Sequence, residues 1–153
     1  MTFQYWFFGT HLRLLSDEHQ PGSGYDLIEA RFPPGTQTHL HLHTRYDKFI
    51  YVLEGAFTVY THTGQATLAP GEHIFVPRNT PHTVTGTGHA TNRSLTITSP
   101  GGFANLVRMV GIPDLAEGIP LGHSNDVGLF LRLTQETGDV ILGAPGALPV
   151  LQD

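Results

Sequence analysis

The chain has 153 residues, a formal net charge of −5, no cysteine and only 14% charged residues. That length carries one domain with a real hydrophobic core. The lack of cysteine excludes disulfides and thiolate metal sites and makes the cytoplasm the expected compartment, while the scattered arginines leave no basic footprint for nucleic acid.

The apolar start, Phe3 to Phe8, has no basic flank, no long hydrophobic run and no small-residue cleavage site, so it predicts neither a signal peptide nor a membrane span. It is too apolar to lie free. Together with the edge strands of a β-fold it predicts a homodimer, the alternative being that the segment packs on its own barrel. Strand-like segments rich in Val, Ile, Thr, Phe and Tyr then follow at about 11–15, 25–32, 36–43, 49–53, 56–61, 65–68, 73–76, 82–85 and 94–98, each closed by Gly, Pro or Asn. Thr63-Gly64 reads as a hairpin turn and Ala69-Pro70-Gly71-Glu72 as another. The spacing is that of a sandwich or barrel.

Asn92-Arg93-Ser94 matches a glycosylation sequon, which carries little weight without a secretion signal. After Gly102 the period changes: Phe103, Leu106, Val107 and Val110 predict a short helix stopped by Gly111 and Pro113. A second helix is expected from a Ser124 or Asn125 cap to about Thr137, with Val127, Phe130, Leu131 and Thr134 on one face and Gly138 past its end. Both helices are expected outside the barrel. With no repeat and no linker, residues 1–153 read as a single all-β domain with short C-terminal helices.

Histidine is the excess with chemical meaning, at ten residues. His39, His41 and His43 alternate with Leu40 and Leu42, so in a strand all three imidazoles share one face. His82 opens a later strand after the rigid turn Pro77-Arg78-Asn79-Thr80-Pro81. Neutral imidazoles two residues apart on a strand chelate a transition metal, although polar strand residues in a wet barrel interior account for the same alternation. His11, His19, His62, His89 and His123 sit at turns or strand ends without ligand-like partners and read as surface. His73, mid-strand, lines the cavity or serves as a hydrogen-bonded structural residue.

Residues 35–55, GTQTHLHLHTRYDKFIYVLEG, resemble the first cupin motif, and residues 71–86, GEHIFVPRNTPHTVTG, resemble the second, in order and separated by a short gap. Gly35, His41, His43, Gly55, Gly71, Pro77 and His82 match by position, and Asn79 replaces a glycine. The resemblance implies a single cupin jelly-roll barrel holding one divalent transition metal (Fe, Ni, Mn, Cu or Zn) on His41, His43 and His82, with His39 as an extra candidate. Tyr51 to Gly55 and Ser99 to Phe103 look like the cupins grouped with quercetin 2,3-dioxygenases. That likeness implies a dioxygenase-like oxidoreductase acting on an aromatic or enolic small molecule. Pocket walls are expected from Phe49, Tyr51, Phe57, His73 and Phe75.

The departure from the family pattern is Lys48, the one lysine of the chain, which stands at the position of the metal-binding glutamate. An ammonium about 5 Å from a divalent ion is repelled by roughly 6 to 7 kcal/mol at an effective dielectric of about 20. Three outcomes follow. Lys48 points away and pairs with Asp47 or Glu54; or it enters the cavity deprotonated as a base or ligand; or the metal is absent and Lys48 holds an anionic ligand in a non-catalytic binding cupin. Asp47 is the candidate replacement carboxylate if the strand slips by one residue.

Overall fold

The computed structural model describes residues 3–17, 24–114 and 124–153; His19 and His123 lie outside them. The strands form two antiparallel sheets. In the first, β1 (Phe3–Phe7), β2 (Thr10–Ser16), β3 (Asp26–Phe32), β10 (Asn92–Ser99), β5 (Asp47–Glu54) and β8 (His73–Val76) lie side by side, with the two-residue β11 (Ile112–Pro113) outside β1. The second runs β12 (Asp139–Pro145), β4 (His39–His43), β9 (His82–Gly86), β6 (Phe57–Thr61) and β7 (Gly64–Leu68). The sequence pattern missed β1, β11 and β12.

Alternate residues of each strand turn toward the space between the sheets. Ile28, Ala30 and Phe32 of β3, Ile50 and Val52 of β5, Phe57 and Val59 of β6 and Val84 of β9 meet there in one buried cluster. Each large side chain so buried contributes about 1.5 to 3 kcal/mol. Where the two sheets cross, Asn92 is fully buried: its Oδ1 accepts the Ala56 and Gly88 amides at 3.0 and 2.9 Å, and its Nδ2 donates to the Phe32 carbonyl at 3.1 Å. Gly55 has φ 74°, and a Cβ there would collide with Asn92 Oδ1. The motif glycine is thus demanded by both conformation and space.

Two helices follow the last long strand. α1 (Phe103–Val110) starts on the Asp26 carboxylate, which accepts the Gly102 and Ala104 amides at 2.9 and 3.0 Å. α2 (Val127–Thr137) is capped by Asp126, one or two residues later than expected, through a 2.9 Å bond from the Leu129 amide. Asn125 is engaged elsewhere, accepting the Phe8 amide and donating to the Trp6 and Val110 carbonyls. Gly138 ends α2 in the left-handed conformation, as its position past the helix predicts. The buried face of α2 is Phe130, Leu133 and Thr134, while Val127 and Leu131 are exposed.

The helices do more than coat the barrel. Ala104 and Val107 join the main core, and Leu106 and Val110 meet Phe130 and Leu133 in a second cluster. Phe7 packs on both clusters, so the N-terminal aromatic segment lies on its own barrel. No helix among the described residues is long and apolar enough to cross a membrane.

Candidate metal centre

β4 and β9 pair so that His41 faces His82 across the ladder. With His43 one pleat further along β4, the three rings come together, their centroids 4.3 to 5.1 Å apart, and their ligand nitrogens lie within 4.8 Å of one another. The turn before β9 aims His82: Asn79 adopts φ 64° there and its amide donates to the His43 carbonyl at 2.6 Å.

Each Nδ1–H has an acceptor. His41 donates to the His39 carbonyl at 2.6 Å, His82 to the Thr80 carbonyl at 2.9 Å and His43 to Asp139 Oδ1 at 2.6 Å. These bonds fix the tautomer and leave the lone pair on Nε2. The Nε2 atoms of His43 and His82 are buried without a hydrogen-bond partner among the described residues. A cluster of desolvated acceptors facing one another is costly unless something positive lies between them. The donor set therefore fits a divalent transition metal. Burial holds the pKa of all three well below or below the usual histidine value, with Lys48 adding to it, so they stay neutral and ligand-competent.

Asp139 was not read from the sequence. It sits on β12 opposite His43, is buried, and accepts from three donors: His43 Nδ1, the Tyr46 hydroxyl at 2.6 Å and the Thr137 hydroxyl at 2.7 Å. The Tyr46 ring stacks on His43 at 4.4 Å, and burial, followed by the Asp139 charge, pushes its phenol well above the usual range. The signal available was the short apolar run Val140-Ile141-Leu142 between Gly138 and Pro145, which is long enough for a strand.

Lys48 lines the same cavity as the histidines and Asp139. Of the expected outcomes, the one that turns it outward is overturned: Asp47 is clasped by Arg78 at 2.8 to 3.2 Å, and Glu54 pairs with Arg93 at 3.4 Å. Burial lowers the Lys48 pKa to about 8, against the pull of Asp139. The strand has not slipped, so Asp47 lies on the outer face and is no substitute ligand.

The cavity encloses about 810 Å³, including its open mouth. Its walls differ from those expected. Phe7, Phe8, Phe32, Phe103 and Phe130 supply the aromatic surface, and His39 stands among them, 5.2 Å from Phe8 and 5.6 Å from Phe130 between ring centroids, away from the other three histidines' cluster. Tyr51 and Phe75 are 38% and 56% exposed, and Phe49 stacks on His73 at 5.1 Å on that same outer surface. Strand parity explains this, since Lys48, Ile50 and Val52 occupy the inward positions of β5. Phe57 is inward but sealed in the core against Phe32, outside the cavity lining.

Residues 28–98 match the family described as the cupin domain. That stretch is a cupin domain. The chain's two sheets form the cupin jelly roll, with α1 packed on β1 and β3 and α2 on β12. Over 101 residues it is 27% identical to quercetin 2,3-dioxygenase of Bacillus subtilis, a match covering 66% of this chain and 30% of that protein. The chain thus spans under a third of that relative's length. The polyketide cyclase RemF of Streptomyces resistomycificus is similar at 30% identity and TM-score 0.53, over 60% of this chain and 65% of that one. Ectoine synthase of P. lautus shares the fold at TM-score 0.61 and 15% identity, over 78% of this chain and 88% of its own.

Proposed function

We propose that the chain is a metal-dependent cupin enzyme that acts on a flat aromatic or enolic small molecule. Oxidative cleavage with dioxygen is its leading reaction, and residues 1–153 work as one domain. The observation that carries this is the set of Nε2 atoms on His41, His43 and His82, gathered with their Nδ1 hydrogens all committed elsewhere. A divalent ion held there supplies Lewis acidity to an oxygen-bearing substrate. The protein's part is orientation: Asp139 fixes His43, and Phe7, Phe8, Phe103 and Phe130 present flat apolar surfaces to a ring and exclude water. The similarity to a quercetin dioxygenase and a polyketide cyclase supports a substrate with conjugated rings. The participation of β1 and β12 on either side of the matched 28–98 stretch supports a single working unit.

A second reading is favoured by Lys48. A carboxylate at its position would accept a substrate proton, and an ammonium does not, so a ligand-binding cupin without oxygenase turnover is the alternative. Elemental analysis of protein purified without a histidine tag, followed by oxygen-electrode assays with flavonols, separates the two. About one transition metal per chain with substrate-dependent oxygen uptake supports the enzyme; a metal-free protein that binds the flavonol supports the alternative. With the N-terminal segment taken up by its own barrel, a homodimer is proposed on the exposed sheet edges alone, and light scattering that gives a monomer at tens of micromolar protein removes it.

A further inference from the structure

Besides His39, which stands among the aromatic rings, the cavity holds two polar side chains that the metal centre does not use and that have no hydrogen bond among the described residues. Lys48 makes no hydrogen bond or ion pair among the described residues, and Asp139 acts on it through charge alone. Asp139 accepts from three donors, Asp47 is held by Arg78, and Glu54 by Arg93. The second group is the Thr96 hydroxyl. Four threonines line the cavity, and three have their hydroxyls occupied: Thr10 donates to the Phe7 carbonyl, Thr38 accepts the Val84 amide and Thr98 donates to Asp26. Thr96, at the cavity wall, has no such bond among the described residues.

The register of β10 against β5 sets Thr98 opposite Lys48 and Thr96 opposite Ile50, so Lys48 and Thr96 share the inward face of adjacent strands. Neither atom is among the buried groups left without a partner, so both open on the cavity they line, where one bound oxyanion can take the ammonium and the hydroxyl together. The charge count agrees. Asp139 and Lys48 cancel, the histidines are neutral, and a divalent ion leaves the site at plus two, short of negative charge.

We infer that Lys48 and Thr96 form an anion-binding corner that takes the carboxylate or enolate oxygen of a ligand whose flat apolar body lies against Phe7, Phe8, Phe103 and Phe130. This assigns the residue at the glutamate position to ligand capture in place of metal binding. It deepens the proposed function by naming the substrate as an acidic aromatic or enolic compound, yet the corner itself is made of protein groups alone and is testable without metal.

The test is isothermal titration calorimetry at pH 6.5 on chelator-treated protein, with 2-naphthoate as the anionic probe and 2-naphthamide as its neutral counterpart. The carboxylate is expected to bind at least tenfold tighter than the amide. Lys48→Met removes that preference, Lys48→Arg restores most of it, and Thr96→Val weakens the carboxylate about threefold to tenfold with little effect on the amide. Thermal melts confirm that each variant is folded. Equal affinity for the two probes, no binding of either at millimolar concentration, or a preference that survives Lys48→Met in folded protein overturns the inference. Metal content is measured on the untreated sample: a protein isolated without metal that still prefers the carboxylate sinks the metal-enzyme reading and leaves the anion corner standing.

Discussion

β4 and β5 belong to opposite sheets and face each other across the cavity, and they answer the same problem differently. On β4 every inward position is histidine, and His41 and His43 each pass their Nδ1 hydrogen to a protein acceptor, so the strand delivers oriented lone pairs. On β5 the inward positions run Lys48, Ile50, Val52: two core residues and one cation with no hydrogen bond or ion pair among the described residues. One strand builds a site for positive charge, and the other contributes positive charge to it. The pairing makes chemical sense only with a negative group between them, which neither strand supplies.

The largest effect is expected from removing a donor. His82→Ala should lower zinc affinity more than a hundredfold, about 2.8 kcal/mol or more, because two nitrogens from one strand replace three from two strands. Titration against a competing chelator measures it, and wild-type affinity in a folded variant would break the assignment of β4 and β9 as the metal strands. Next comes the support behind β4. Asp139→Asn should cost about tenfold to a hundredfold in metal affinity and move the His43 ring-nitrogen NMR shifts in the metal-free protein, with Asp139→Glu recovering part of both. Unchanged shifts and unchanged affinity would mean that Asp139 only packs.

On the facing strand, Lys48→Glu should tighten metal binding by about tenfold, or 1.4 kcal/mol, by exchanging a repelling charge for an oxygen ligand, and Lys48→Met should help less. Unchanged affinity in Lys48→Glu would show that β5 stands too far from the ion for either sign of charge to matter, and weaker binding would show that Lys48 itself serves as a ligand. A smaller effect concerns pH. In protein stripped of metal, burial holds His41, His43 and His82 below the ordinary histidine pKa. Above about pH 6.5 both folded and unfolded chains keep them neutral, and the stability is fully present. As pH falls below that value the unfolded chain takes up protons that the folded one refuses, so stability is lost toward the folded pKa values. Melting temperatures at pH 7.5 and 5.5 should differ in that direction, and less so with zinc bound. The smallest effect is that of the outward parity: Tyr51→Ala and Phe75→Ser should leave metal and ligand affinity within twofold of wild type.

The row of histidines was legible because strand alternation is local, and a residue two positions away needs no tertiary information to share a face. Lys48 was legible as a position, from its count to His43 and Gly55, but its direction was not used to the full. Once Lys48 is inward, Phe49 and Tyr51 on the same strand must be outward, and the expected aromatic wall fails on that ground alone. The real wall could not be read locally. Phe7 and Phe8 come from the start of the chain, Phe103 from α1 and Phe130 from α2, brought together by packing across long sequence separations. Asp139 was hidden for the same reason: its pairing with His43 exists only because α2 turns the chain back through Gly138 and lays β12 against β4.

The buried Asn92 has a consequence for covalent modification. Attachment of a glycan replaces one hydrogen on Nδ2 with a sugar, and in the folded chain that nitrogen faces the Phe32 carbonyl at 3.1 Å with no solvent access. A saccharide there would have to occupy the space in which Gly55, Gly86 and Gly88 crowd against the side chain. Sugar transfer and a closed barrel are therefore mutually exclusive at this position: the Asn-Arg-Ser tripeptide is used as a clasp, and a chain glycosylated there before folding would be left with its two sheets unjoined at that crossing.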